Sequence, residues 1–140
     1  MVIASDNCNF AQMEVQRGIM PFGGATVRFV TAAGWQKAMP YLLTGKNFDA
    51  QTADKLNLVS EVVPSGEEYQ RALTIVKEIC TAAPLGVKGL LSSAQDASRN
   101  GAKSALANIH GYLPHLFHSE DAKEGAMAMV ERREPEFQGR

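Results

Sequence analysis

Apolar positions fall into two regimes along the chain. Up to about Pro64, short apolar runs alternate with stretches of helical spacing; beyond it every apolar stripe recurs at helical spacing. Residues 1–4 (Met-Val-Ile-Ala) form a fully apolar run that reads as a strand covered on both faces. A second short strand is read over 10–12 and a third over 58–63, stopped by Pro64. Between them, Gly23-Gly24 opens a helix to about Ala33, with Val27, Val30 and Thr31 on one face. Residues 34–44 form the next, with Trp35, Met39, Leu42 and Leu43 apolar and Pro40 expected to kink or shorten it. Asp49 is placed to cap a short helix over 50–56.

The second regime holds four helices. Ser65 and Glu68 stand at capping-box spacing. The helix they start carries Tyr69, Ala72, Leu73, Val76, Ile79, Cys80 and Ala83 as a stripe expected to face the core. Pro84 begins another, ending near Asn100-Gly101. A longer one follows through Leu106, Ile109, Leu113, Leu116 and Phe117, which Gly111 and Pro114 should bend or break. Ser119 caps the last helix; Glu120 and Asp121 in its first turn and Arg132 and Arg133 in its last complement the helix dipole. Its apolar side is read as Ala122, Gly125, Ala126, Met129 and Val130, and Phe137 as an anchor for the tail. The fold class is therefore α/β and mostly helical, mixed over 1–64 and all-helical over 65–140. Three short strands make a meagre sheet, so the first is expected to belong to a larger one whose other strands lie outside these residues.

Composition narrows the function classes. The 140 residues are 45% hydrophobic and 21% charged, which suits a packed globular chain. A net charge of −1 makes no case for nucleic acid or an anionic membrane as partner. No signal peptide and no apolar run of membrane-spanning length is visible, so cytoplasm is the expected location. Cys8 and Cys80 lack metal-ligand spacing and read as reduced, partly buried thiols. His110, His115 and His118 do not share one helical face, and no Cys or carboxylate completes a ligand set, so no metal site is expected. No strand–Gly-x-Gly-x-x-Gly unit is present either.

One carboxylate stands out. Glu14 follows the second strand among apolar neighbours and precedes a Pro-Phe-Gly-Gly turn. A carboxylate held there can act as a general acid or base, although a lone Glu in a loop is as a rule a solvated charge. Gly23 and Gly24 either allow close backbone approach to a ligand or form a tight turn that packs.

The whole string strengthens the functional reading of Glu14. Phe10-Ala11-Gln12-Met13-Glu14-Val15, Gly18-Ile19, Pro21 and Gly23-Gly24-Ala25-Thr26 resemble the second active-site segment of the crotonase (enoyl-CoA hydratase/isomerase) superfamily. The resemblance continues through Leu42-Leu43-Thr44-Gly45, Phe48-Asp49-Ala50, the run from Leu58 to Pro64 and the run from Ser119 to Gly125, covering essentially the whole chain. It implies the C-terminal part of a β-β-α spiral (1–64) followed by a helical trimerisation region (65–140). The implied substrate is an acyl-CoA thioester, with no separate cofactor because coenzyme A belongs to the substrate. The implied activity is reversible hydration of 2-enoyl-CoA in fatty-acid or related acyl-CoA metabolism; a family isomerase is the alternative. Glu14 matches the second glutamate of the family. Met13 stands where the family usually has Pro. Gly23 and Gly24 match the substrate-binding turn. Arg132 falls where relatives carry a basic residue near the CoA phosphates, and Met129 near an apolar border of the acyl or CoA pocket. A solvated helix-end charge and a plain core position are the bland alternatives for these two. The resemblance also places the first glutamate and both oxyanion-hole N–H groups upstream of Met1. It thus implies a homo-oligomer, a trimer or a dimer of trimers, of an incomplete chain inactive alone; the rival reading is a catalytically silent truncated chain that only associates with crotonase-like subunits.

Overall fold

A computed structural model describes all residues 1–140. The chain forms two compact units, Met1–Leu73 and Thr74–Arg140. In the first, β1 (Ile3–Ser5) pairs in parallel with β4 (Glu61–Val63), Ile3 opposite Glu61. Ser60 N–H donates to the Val2 carbonyl at 2.7 Å and Asp6 N–H to the Val63 carbonyl at 2.8 Å, extending the pairing beyond both strand ends. β2 (Asn9–Phe10) pairs antiparallel with β3 (Phe48–Asp49). This last strand has no counterpart in the apolar pattern, because two residues are too few to show alternation.

Between these ribbons lie α1 (Ala25–Ala33), α2 (Trp35–Thr44) and α3 (Ala50–Lys55). Asp49 caps α3 as expected, its Oδ1 accepting the Thr52 N–H at 2.8 Å. α2 runs through Pro40 to Thr44, so Pro40 does not shorten it; Thr44 Oγ1 donates to the Pro40 carbonyl. The expected inner face of α1 is also corrected. Val27 is largely exposed, while Phe29 is buried with Ala25, Val30 and Ala33 packed beside it. Phe29 lies one turn after Ala25 and one before Ala33, so these three share the inward face. On α2 the same spacing buries Ala38 and Leu42 and leaves Trp35 and Leu43 exposed. The core is alanine-rich, with Ala38, Ala50 and Ala53 fully covered, around an aromatic cluster centred on Phe48. Phe48 stacks on Phe10 at 5.6 Å, meets Tyr41 edge-on at 4.6 Å and touches Phe29 at 5.9 Å.

The second unit begins within α4 (Glu68–Cys80) and continues with α5 (Pro84–Asn100), α6 (Ala102–Phe117) and α7 (Glu120–Glu131). α4 opens differently from a full capping box. Glu68 accepts the Gly66 N–H at 2.8 Å, while Ser65 Oγ accepts from Asn7 instead of capping the helix. The stripe on α4 is not core: no residue of the helix is buried, and Tyr69 and Val76 are exposed. Cys80 is exposed as well, not partly buried. α5 and α6 pack together through Gly89, where an added Cβ would sit 3.4 Å from Leu116 Cδ1. Gly111 and Pro114 do not break α6.

On α7, Ser119 Oγ accepts the Ala122 N–H at 3.0 Å, the expected cap. The helix ends at Glu131, so Arg132 is its cap in the left-handed region and Arg133 lies beyond it. The expected apolar side is corrected: the buried residues are Asp121 and Ala128, and Val130 faces solvent. Asp121 is buried because it binds the tail, accepting N–H groups from Gln138 at 2.7 Å and Gly139 at 2.8 Å. Phe137 does anchor that tail, its ring 3.4 Å from where a Cβ on Gly125 would stand.

Candidate active site

Glu14 does not hang from a strand end. It sits on a 3-10 turn, Met13–Arg17, that follows β2. Gly18, at φ 77°, closes that turn, and the Ile19 N–H donates to the Glu14 carbonyl at 3.2 Å. Gln16 Nε2 donates to the Thr44 carbonyl at 2.7 Å, tying the turn to the end of α2. Gly45 completes the clamp. It adopts φ +64°, and a Cβ there would lie 3.0 Å from Gln16 Cγ and 3.1 Å from the Gln12 carbonyl oxygen. Only glycine allows that backbone conformation and that approach together.

The turn presents Glu14 to a cleft of about 580 Å³. Phe10, Phe29, Phe48 and Leu58 supply its apolar wall; Asn9, Gln12 and Arg28 supply polar groups. Glu14 is half-buried, and its Oε2 is fully covered with no hydrogen-bond partner. Leaving a covered carboxylate oxygen unpaired costs about 1–3 kcal/mol or more, which marks Glu14 as a strained polar group in this unit. A half-buried carboxylate against apolar carbon, open to a cleft, can accept and return a proton.

Among the other expected site residues, Gly23 lines the same cleft. Gly24, at φ +87°, caps α1, accepting the Arg28 N–H at 2.9 Å through its carbonyl. Arg132 and Met129 belong to the second unit, at the end of α7, where the Arg132 N–H turns back to the Met129 carbonyl. Met129 is 83% exposed, which overturns its reading as a plain core position. Arg28, Phe29 and Phe48 join Glu14 without having been singled out. Phe29 was recoverable from its spacing to Ala25 and Ala33, whereas nothing in the apolar pattern marks Arg28.

No group of three or more His, Cys, Asp or Glu side chains is placed to hold a metal ion. His118 is engaged locally, its Nδ1 donating to the Pro114 carbonyl at 2.7 Å. No helix is long and apolar enough to cross a membrane.

A cleft carboxylate on a mostly helical α/β fold defines a class once the chain is compared with known proteins. The enoyl-CoA hydratase/isomerase family model matches residues 1–140, and the chain belongs to that family, within the crotonase superfamily. It is 33% identical over 144 residues to the carnitinyl-CoA dehydratase of Proteus mirabilis, covering 100% of this chain and 55% of that protein. To the 2,3-dehydroadipyl-CoA hydratase of Escherichia coli it is 30% identical, with the same coverage of each. Among solved structures, a probable enoyl-CoA hydratase/isomerase from Mycobacterium abscessus superposes with TM-score 0.94 at 45% identity, over 100% of this chain and 55% of that one. The chain thus spans about half the length of the curated relatives it matches. Its mostly helical α/β architecture is part of the crotonase fold.

Proposed function

We propose that these residues serve the reversible hydration of 2-enoyl-CoA thioesters in acyl-CoA metabolism, with Glu14 as the acid–base group. The observation that carries this reading is the half-buried Glu14 lining a cleft with an apolar wall and forming no ion pair there. In hydration, water adds its oxygen to C3 of the enoyl group and a proton is delivered to C2 of the resulting enolate. Glu14 would take the proton from the attacking water through its carboxylate. The apolar wall would hold the acyl chain and exclude competing water. Gly23 lets the chain approach closely. In the second unit, Arg132 is suited to a CoA phosphate by its fork of donors, with Met129 beside it as an apolar contact.

The enolate also needs hydrogen-bond donors on its oxygen, usually the largest catalytic contribution in such reactions. The family resemblance assigns these, and the first glutamate, to residues beyond these 140. Residues 1–64 then act as the end of the spiral core and 65–140 as the helical region through which subunits associate, as a trimer or a dimer of trimers. On this reading the 140 residues bind and associate but turn over substrate only when that other segment is supplied. A cytoplasmic location goes with this reading. Enoyl-CoA isomerisation is the second reading, favoured by one feature: Glu14 is the only carboxylate that lines the cleft.

The test is a chimera that joins these 140 residues to the preceding half of the Mycobacterium abscessus relative, assayed with crotonyl-CoA and with a 3-enoyl-CoA. Consumption of crotonyl-CoA with gain of one water supports hydration. Conversion of the 3-enoyl thioester to the 2-enoyl form without hydration supports the isomerase.

A further inference from the structure

We propose that Arg28 makes the Glu14 cleft selective for acyl-CoA thioesters whose acyl chain carries a carboxylate at its far end. The inference rests on the reading of that cleft as the acyl site. Arg28 lines the cleft from α1. Its guanidinium folds back over Gly24, where an added Cβ would lie 3.8 Å from both Cζ and Nε. The side chain makes no ion pair, and Glu14, the one acid lining the cleft, does not bridge to it. Its own helix offers no counter-charge, since the positions three and four residues away are Gly24, Ala25, Thr31 and Ala32. Three other carboxylates of the same unit have partners of their own: Glu61 binds Arg71, Asp49 caps α3 and Asp6 accepts the Ser65 N–H.

A guanidinium presents a planar fork of donors that matches a carboxylate. Here that fork borders a cleft whose apolar wall includes Phe10, Phe29, Phe48 and Leu58, with Asn9 and Gln12 as its uncharged polar groups. Methylene groups suit the aromatic wall, and a terminal anion suits Arg28. The phosphates of coenzyme A are the rival anion. They lie at the end of the pantetheine arm, away from the thioester. The anion that meets Arg28 while the reacting carbons meet Glu14 is therefore carried by the acyl group.

The experiment is equilibrium binding of glutaryl-CoA and pentanoyl-CoA to the purified chain, as wild type, Arg28→Leu and Arg28→Lys. The two thioesters have equal acyl carbon number and neither can be hydrated. The wild type should bind glutaryl-CoA about tenfold more tightly, the scale of one charge-assisted contact at an exposed site. Arg28→Leu should abolish that preference with pentanoyl-CoA binding unchanged, and Arg28→Lys should keep part of it. Because Arg28 is exposed, the variants should melt with the wild type, which a thermal scan checks. Equal binding of both thioesters by the wild type overturns the proposal and leaves the acyl site standing. Equal weakening of both by Arg28→Leu assigns Arg28 to a CoA phosphate and also overturns it. If neither thioester binds, the acyl-site reading falls together with the selectivity.

Discussion

Glu14 depends on a glycine far along the chain. Gly45 lets the 3-10 turn close on the end of α2, and its left-handed backbone admits no side chain without strain. Gly45→Ala should therefore destabilise the fold by about 1–3 kcal/mol, read as a lowered denaturant midpoint with unchanged slope. A second residue-scale device holds the tail. Hydrogen bonds from Arg133, and then from the Glu136 N–H, hold the Glu124 carboxyl down from 4.5 to about 2. A depressed folded pKa contributes stability that is complete above the ordinary carboxylate range and is lost as pH falls through about 2. The tail contact should thus loosen between about pH 4.5 and 2, seen as faster hydrogen exchange at the Glu136 amide. Glu124→Gln should exchange fast at any pH, and a Glu136 amide equally protected in both forms would contradict this.

At the scale of elements, caps and breaks were legible in the sequence where side-chain chemistry acts locally. Asp49 and Ser119 each satisfy a backbone N–H three residues on, and Pro84 opens α5. Ser119→Ala should cost about 1 kcal/mol of stability, measured by chemical denaturation, with the loss confined to the second unit. Faces were less legible than ends. Spacing shows that Tyr69, Val76 and Ile79 of α4 share a side, but not whether anything covers it. Val27 misled for a related reason: Val27, Val30 and Thr31 share a face by spacing, but Phe29 holds the inward position. β3 and the 3-10 turn under Glu14 were invisible because their hydrogen bonds join residues far apart in sequence. Glu14 itself was found through the string around it, while its cleft partner Arg28 became apparent only when α1 was set beside β2 and β3.

At the scale of the whole molecule, the second unit leaves many large apolar side chains in water. α5 buries no residue and α6 buries only Ala105. Leu90, Leu106, Phe117, Met129 and Val130 are each more than 60% exposed. On the proposed reading, this exposed apolar surface is where subunits associate. Sedimentation of the purified chain should show a discrete trimer or hexamer at micromolar concentration, and a stable monomer would contradict association through these helices.

The most direct test of the central claim compares Glu14 with Glu14→Gln in the chimera, following crotonyl-CoA hydration. The substitution keeps the shape of the side chain and removes the base. The account predicts a fall in kcat of about 10²–10⁴-fold with KM within a few-fold of its original value. Unchanged turnover would contradict it and remove Glu14 from the chemistry.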